Sequence, residues 1–533
     1  MDLESNDPED VTYNVVGFPD TDGGSFGVLI DGKITKLSTS PDTFPLWSGT
    51  APGASVASNY QYVKLSKQGT LLTQEPFLRS LQNGSAKSTV NEFFLRQVTQ
   101  TALPELPQVF DDVRPKPSKA FDHSQIATIH LTPDPNKFAD MVADPVKNKD
   151  SIMAGFRFIS ANNTYSVNRV KLKISGRDTR PFKKLSLRIK FDNGETFFNR
   201  PIIKMRSGVF DPTMIREKLY IDILNAVGVR TTQGAWVRVY VNGNPYGFYL
   251  MVEDIEPPFL RETMHHGNIQ PMKLGSLYKC CDTRPIPPED EATLQFAGSK
   301  TTDYNENVYE NQNFGASPTN DPMAQLILFL QDLHNYDPTL PGGEAFWNSR
   351  LDLDGFLRCM AMEYLGGNLD AYWYSGNNYF MYFNPTEARW QFIPTDFDSI
   401  FSDDNHSDVL TTFMKFAESR LTRPGKDHPL VTKLIFRDKD INARFKQILL
   451  GIVNGVFNPE VLEPRISAYE KMITDEVKWD YLLERSNNPG KTFDFTIEDF
   501  HNGITGSVKR GDFESKQGIK PWIQGREAYC NQG

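Results

Sequence analysis

The sequence predicts an α+β protein in which a small β-sandwich precedes a strand-rich unit and a helix-rich C-terminal part. Three observations predict it. Over 10–110, short segments of alternating apolar and polar residues recur between turns of Gly, Pro, Asp and Ser. Between 126 and 252, five further strand-like segments enclose one stretch of helical period. From 322 onward, apolar residues recur mainly at helical spacing.

In chain order, strands are expected over 12–18, 25–30 and 60–65, followed by a charged, proline-bearing linker at 111–119. The second unit begins near Gln125, with strands over 126–131, 167–174, 185–191, 236–241 and 247–252. The last two flank Asn242-Gly243, the dipeptide that suits a type I′ hairpin turn because both positions tolerate a positive φ. Met214, Ile215, Leu219, Ile223 and Leu224 predict a helix over 212–227 that stops before Gly228. The expected result is a sheet with one packed helix. A polar stretch over 283–321 reads as a long insertion, of a length uncommon unless functional or mobile. Helical patterns over 322–334, 353–365 and 430–483 follow. The boundaries expected are 1–112 for the sandwich, 113–256 for the strand-rich unit and 257–533 for the remainder.

Composition excludes several classes. With 533 residues and 39% hydrophobic content, the chain can bury two or three ordinary cores. A net charge of -10, without a Lys/Arg run, argues against nucleic acid as a partner. No apolar run approaches the roughly 18 residues that cross a bilayer, so no transmembrane segment is expected. The first ten residues are acidic and lack the basic and apolar regions of a signal peptide, which implies a cytosolic protein or a processed or recombinant mature fragment. Acceptor patterns for N-glycosylation at Asn83, Asn162 and Asn405 favour the fragment. The four cysteines, Cys280, Cys281, Cys359 and Cys530, show no zinc or redox spacing. One or two disulfides are expected, the alternative being a buried thiol at Cys359.

Candidate chemistry is densest over 366–404. Asp370 follows a helix ending at Gly366-Gly367 and so falls in a loop, where a carboxylate can reach a substrate. An aromatic strand over 379–383 and its return over 390–394 would bring Asp370, Asn378, Asp396 and Asp398 together. Two carboxylates and an amide oxygen suit Mg²⁺ or Mn²⁺ completed by nucleotide phosphates. The same spacing also suits turn residues or a structural calcium ion. A basic strand over 177–191 would place Lys184, Ser186, Arg188 and Lys190 on one face, as a second candidate surface or, more commonly for such a pattern, as a solvated basic edge strand. Phosphoryl transfer needs a cation, an acid to orient it and a carboxylate to take the hydroxyl proton. Lys184, Glu217 and Asp370 are the residues available.

The segments KISGRDTRPFKKLSLRIKF, MIREKLYIDILNAVGV, VRVYVNGNPYGFYLMVED, GSLYK, LGGNLDAYWYSGNNYFMYF and WQFIPTDFDSIF occur in the order found in CotH proteins. The resemblance spans about 126–483. It implies an atypical, bilobal protein-kinase-like fold and an ATP-dependent Ser/Thr protein kinase using Mg²⁺ or Mn²⁺. It further implies Asp370 as the catalytic-loop aspartate, Asn378 as the metal-side amide, and Asp396 with Asp398 as the metal-binding pair. Lys184, Lys183, Glu217, Glu253 and Lys279 make up the implied nucleotide-binding set. No glycine-rich covering loop is evident, and Arg177-Asp178-Thr179 replaces the small polar residues usual after Gly176 in the family.

The sandwich and the Asn-rich insertion resemble the branch of the family found on Mucorales fungi, some members of which bind host-cell receptors as invasins. In that branch a Ser-rich tail and lipid anchor follow, and this chain ends before such a segment. The resemblance therefore implies a secreted or surface location, in a spore coat or cell wall, with a lipid anchor in a full-length precursor. Two alternatives to a kinase acting on a Ser/Thr-rich surface or coat protein stand. One is an adhesin binding a host-cell receptor through the sandwich and the 283–321 insertion, the kinase fold being vestigial, for which deleting 301–313 should abolish binding without unfolding. The other is a glycoside hydrolase with Asp370 and the Asp396/Asp398 pair flanking a sugar.

Overall fold

The computed structural model describes residues 10–52, 59–81, 87–110, 118–284, 290–315, 321–401, 427–485 and 488–530. The architecture is mixed α and β, as the sequence pattern predicts. Near the N-terminus, one sheet contains strands Asp10–Val16, Leu46–Pro52 and Glu92–Phe93. A second contains Ser25–Ile30, Lys33–Lys36, Tyr60–Leu65 and Leu71–Gln74. Val11, Tyr13 and Val15 of the first meet Phe26, Val28, Tyr60 and Tyr62 of the second in one core, the alternation expected of two sheets buried on their inner faces. The linker expected at 111–119 and the 112/113 boundary fall largely outside the described residues.

The expected sheet is a closed barrel of seven strands, Ala127–Pro133, Ile152–Ile159, Thr164–Ile174, Leu187–Phe191, Ile202–Arg206, Gly234–Val241 and Asn244–Glu253. Closure depends on Ile152–Ile159, which pairs with Thr164–Ile174 on one side and with Ala127–Pro133 on the other. Leu172, Leu187, Ile189, Ile203, Val237 and Met251 fill the interior. Period-two alternation sends Lys173, Arg188 and Lys204 outward, and their register places the three side by side. Strands Gly234–Val241 and Asn244–Glu253 are buried on both faces, because Trp236, Phe248 and Leu250 look out into a second, larger core. Helix Arg216–Ala226 lies in that core, with Leu219, Tyr220, Ile223 and Leu224 buried.

The C-terminal part adds helices Ala324–Asn335, Leu353–Gly366, Lys439–Gly455, Pro459–Tyr481, Ile497–Thr505 and Ile519–Cys530. It also contains a four-stranded sheet in the order Tyr309–Asn313, Leu277–Cys280, Tyr379–Asn384, Arg389–Pro394. The polar insertion is therefore not a detached loop. Tyr309–Asn313 is a strand of this sheet, and Ala292, Leu294 and Val308 belong to the large core.

One carboxylate ties three regions together. Glu476, buried in helix Pro459–Tyr481, accepts from Arg96 at 2.6 Å and from Arg238 of the barrel at 2.7 Å. Arg96 follows the last strand of the N-terminal sheets. Phe18 of the same region stacks on Tyr240 of the barrel with ring centroids 4.0 Å apart.

The expected disulfides are absent: all four cysteines are free thiols. Cys280 and Cys359 are buried, and burial pushes both thiols up. Asn162 is exposed, whereas Asn83 and Asn405 lie outside the described residues. Among the described residues, no helix is long and apolar enough to cross a membrane.

Candidate functional site

A cleft of about 620 Å³ runs between the outer wall of the barrel and the four-stranded sheet. Asp370, Asn378, Asp396, Asp398, Glu217, Glu253 and Lys279 all line it.

The local sequence explains how the acidic side gathers. Helix Leu353–Gly366 ends on Gly367, whose φ of 64° gives the left-handed turn that releases Asp370 into a loop. A short helix, Tyr372–Ser375, then leads into Asn377 and Asn378. Asn377 donates to Asp370 Oδ1 at 3.1 Å, and Asn378 donates to Asp370 Oδ2 at 2.8 Å. Two amides thus fix both oxygens of one carboxylate. The hairpin that follows returns so that the Thr395 amide donates to the Asn378 carbonyl at 3.0 Å, which brings Asp396 beside Asn378. Asn378 and Asp396 both hold left-handed backbone, with φ of 56° and 60°, a conformation that costs energy in a residue other than glycine and clusters at functional sites. Between Asp396 and Asp398, Phe397 is buried and packs on Tyr220 with centroids 5.1 Å apart.

Arg206, from the end of a barrel strand, bonds this cluster. Its guanidinium lies 2.5 Å from Asp396, 3.3 Å from Asp398 and 2.7 Å from Glu217 on helix Arg216–Ala226. Farther along the wall, Arg188 and Lys204 both hold Asp254, at 2.7 Å and 2.6 Å, and Arg188 also pairs with Glu256.

The electrostatics follow from burial against pairing. Burial lifts Asp370 to about 6, with Asp396 and Asp282 adding repulsion and the Asn377 bond opposing it. Burial would lift Asp396 too, but Arg206 outweighs it and holds that carboxylate below its ordinary value. Asp398, half-buried beside Asp396, is pushed well up by desolvation and by that neighbouring charge. Burial also raises Glu217, against the pull of Arg206.

The cleft does not include every residue expected of it. Lys184 does not line the cleft; it is almost fully buried in an ion pair with Asp480 at 2.9 Å and faces the Tyr249 ring. Lys183 is also absent from the cleft lining, and its backbone pairs with Lys491. The physical reason is register. The strand runs over Leu187–Phe191, and Ser186 and Arg188 both line the cleft as alternation requires, whereas Phe182 and Lys183 pair with the 491 segment and Lys184 turns to Asp480. Glu253 lines the cleft yet is engaged by Arg200 at 2.9 Å and by the Gln233 amide. Sequence reasoning missed Arg206 and Asn377. The available signals were the Lys204/Arg206 alternation after Ile202-Ile203 and the doubled asparagine.

The donor set is all oxygen, which suits Mg²⁺ or Mn²⁺. Among the described residues, no three acidic, His or Cys side chains converge as a metal site on their own. Mg²⁺ commonly takes only one or two carboxylates and completes its shell with substrate phosphates, so the Asp396/Asp398 pair fits a cation that arrives with a nucleotide.

Comparison with known proteins agrees with the motif order. The family described as CotH kinase protein matches residues 172–525. The chain belongs to the CotH family. It is 26% identical to Invasin CotH2 of Rhizopus delemar over 94% of this chain and 80% of that protein. It is 27% identical to Invasin CotH3 of the same fungus, over 94% and 81%. Inner spore coat protein H of Bacillus subtilis is 23% identical over 57% of this chain and 78% of that protein. The CotH match thus takes in the cleft and both of its walls, and the fungal relatives extend across nearly the whole chain.

Proposed function

We propose that this CotH protein is an atypical Ser/Thr protein kinase that transfers the γ-phosphoryl group of ATP to a protein hydroxyl. The observation that carries the reading is Asp370, held by two amides at the floor of a cleft that also contains the Asp396/Asp398 pair and a row of wall cations. A carboxylate lifted to about 6 is ionised at neutral pH and close enough to it to accept a proton efficiently.

Asp370 orients the acceptor hydroxyl and takes its proton as the oxygen–phosphorus bond forms and the bond to the ADP leaving group breaks. Arg206, Lys204 and Lys279 supply positive charge to the phosphates. Asp396, Asp398 and the amide oxygen of Asn378 would hold Mg²⁺ or Mn²⁺, which when bound neutralises phosphate charge. The kinase-like, two-lobed reading of the fold assigns the barrel to the nucleotide and the helical part to the acceptor.

The test is incubation with γ-labelled ATP, either metal and a generic acceptor protein. Transfer confined to the wild type, and lost in Asp370→Ala and Asp396→Ala, is expected. Label retained in either variant, or no transfer together with no ATP-dependent thermal shift, overturns the reading.

A second reading is favoured by the fungal relatives named invasins, whose similarity covers 94% of this chain and so includes the N-terminal sheets. In it the protein is displayed on a cell surface or spore coat and binds a host-cell receptor. Binding of the purified chain to host cells, unchanged in Asp370→Ala, would establish it beside or instead of the kinase.

A further inference from the structure

Arg206 stands where a metal would. Its Nη2 is 2.5 Å from Asp396 Oδ1 and 3.3 Å from Asp398 Oδ2, so one nitrogen bridges the two carboxylates assigned to a divalent cation. The same edge of the guanidinium is tethered at its inner end, with Nε donating to Glu217 at 2.7 Å. Three carboxylates face one guanidinium, which leaves an excess of two negative charges when all are ionised. Lys204 and Lys279 contribute a longer-range field, but Lys204 bonds Asp254.

The partners differ in freedom to move. Asp396 and Asp398 flank a phenylalanine locked in the core, and Asp396 holds a fixed left-handed backbone. Arg206 is a long side chain at a strand end, with a second anchor on Glu217 to swing about. A cation entering the pair must therefore displace the arginine, and a charge-assisted bond is lost when it does. A phosphate in the cleft would give the guanidinium a replacement anion.

We propose that Arg206 is an internal counter-ion that makes metal binding conditional on polyphosphate. It occupies the Asp396/Asp398 pair before nucleotide binds, and it transfers to phosphate when the nucleotide arrives, freeing the pair for the cation. The idea rests on the kinase reading of the cleft and names Arg206 as a positioning residue within it. By linkage, metal and polyphosphate then strengthen each other's binding through this one side chain.

The test uses Mn²⁺ alone, followed by the resonance signal of the free ion, on the full chain and its variants. Arg206→Ala should bind Mn²⁺ on the order of tenfold more tightly than wild type. Arg206→Lys should fall between them, because one ammonium cannot bridge both aspartates while holding Glu217. Adding Asp396→Asn should abolish the gain. For a preformed Mn²⁺–tripolyphosphate complex the order should reverse, with wild type binding at least as tightly as Arg206→Ala. If Arg206→Ala does not fold, Arg206→Lys carries the comparison. Equal or weaker Mn²⁺ binding by the arginine variants, with Asp396→Asn still abolishing it, overturns the counter-ion while leaving the metal pair standing. Binding that ignores Asp396→Asn overturns both.

Discussion

Asn378 Nδ2 donates both to the Asp370 carboxylate at 2.8 Å and to the Asp370 carbonyl at 3.0 Å, so a single amide fixes the side chain and the backbone of the residue eight positions before it. Asn377 takes the other carboxylate oxygen and accepts from the Asp282 amide at 2.9 Å. The position of Asp370 is therefore set by a pair of neighbouring asparagines.

This arrangement predicts a pH profile. Activity should fall with acidification through about pH 6, where Asp370 protonates. Asn377→Ala removes the bond that opposes burial, so its acidic limb should move to higher pH. A limb left in place, measured as kcat against pH, would detach the limb from Asp370.

The same shift predicts a stability gain on inactivation. A carboxyl whose folded pKa exceeds its unfolded value of 3.8 costs stability, and the cost grows as pH rises from about 4 to about 6 and persists above. Asp370→Asn should thus melt at or above the wild-type temperature at pH 7, with the difference shrinking below pH 4. A clear loss of thermal stability at pH 7 would contradict this.

Lys184 should be structural. Lys184→Met removes one of two cations on buried Asp480, Arg485 remaining at 2.6 Å. A loss of about 2–3 kcal/mol in denaturant unfolding is expected, less than for a pair broken outright because one partner stays. The KM for ATP should be unchanged. A raised KM would place this lysine back at the nucleotide.

Deleting 301–313 should unfold the protein, since the segment carries Val308 and Tyr309 of the core and an edge strand of the four-stranded sheet. Circular dichroism should show loss of a cooperative melt. A folded deletion variant would show that the insertion is dispensable to the core.

Much of this was legible in the sequence where local pattern and tertiary structure agree. The strands Ser25–Ile30 and Tyr60–Leu65 match the alternation read from the residues. Helix Leu353–Gly366 matches its apolar period, and the hairpin after Asn378 gathers Asp370, Asn378, Asp396 and Asp398 along one cleft. Barrel closure was not legible, because it depends on which edges meet, and Ile152–Ile159 carries no turn signal that says so. Lys184 was misplaced because alternation, which holds as far back as Ser186, was carried one step further, next to residues that pair with the 491 segment. Arg206 escaped because its meaning lies largely in Asp396 and Asp398, far away in sequence.

Glu476 has a consequence for how the chain can be shortened. Its carboxylate is held below its ordinary value, against burial, by Arg238 of the barrel and by Arg96 beside the N-terminal sheets. A chain cut to begin at the barrel would leave that acid in an apolar setting with one counter-charge instead of two. The sandwich thus helps to hold the rest of the chain together rather than riding on it, and a chain begun at the barrel would have to replace Glu476 or recruit a new cation to remain as sound.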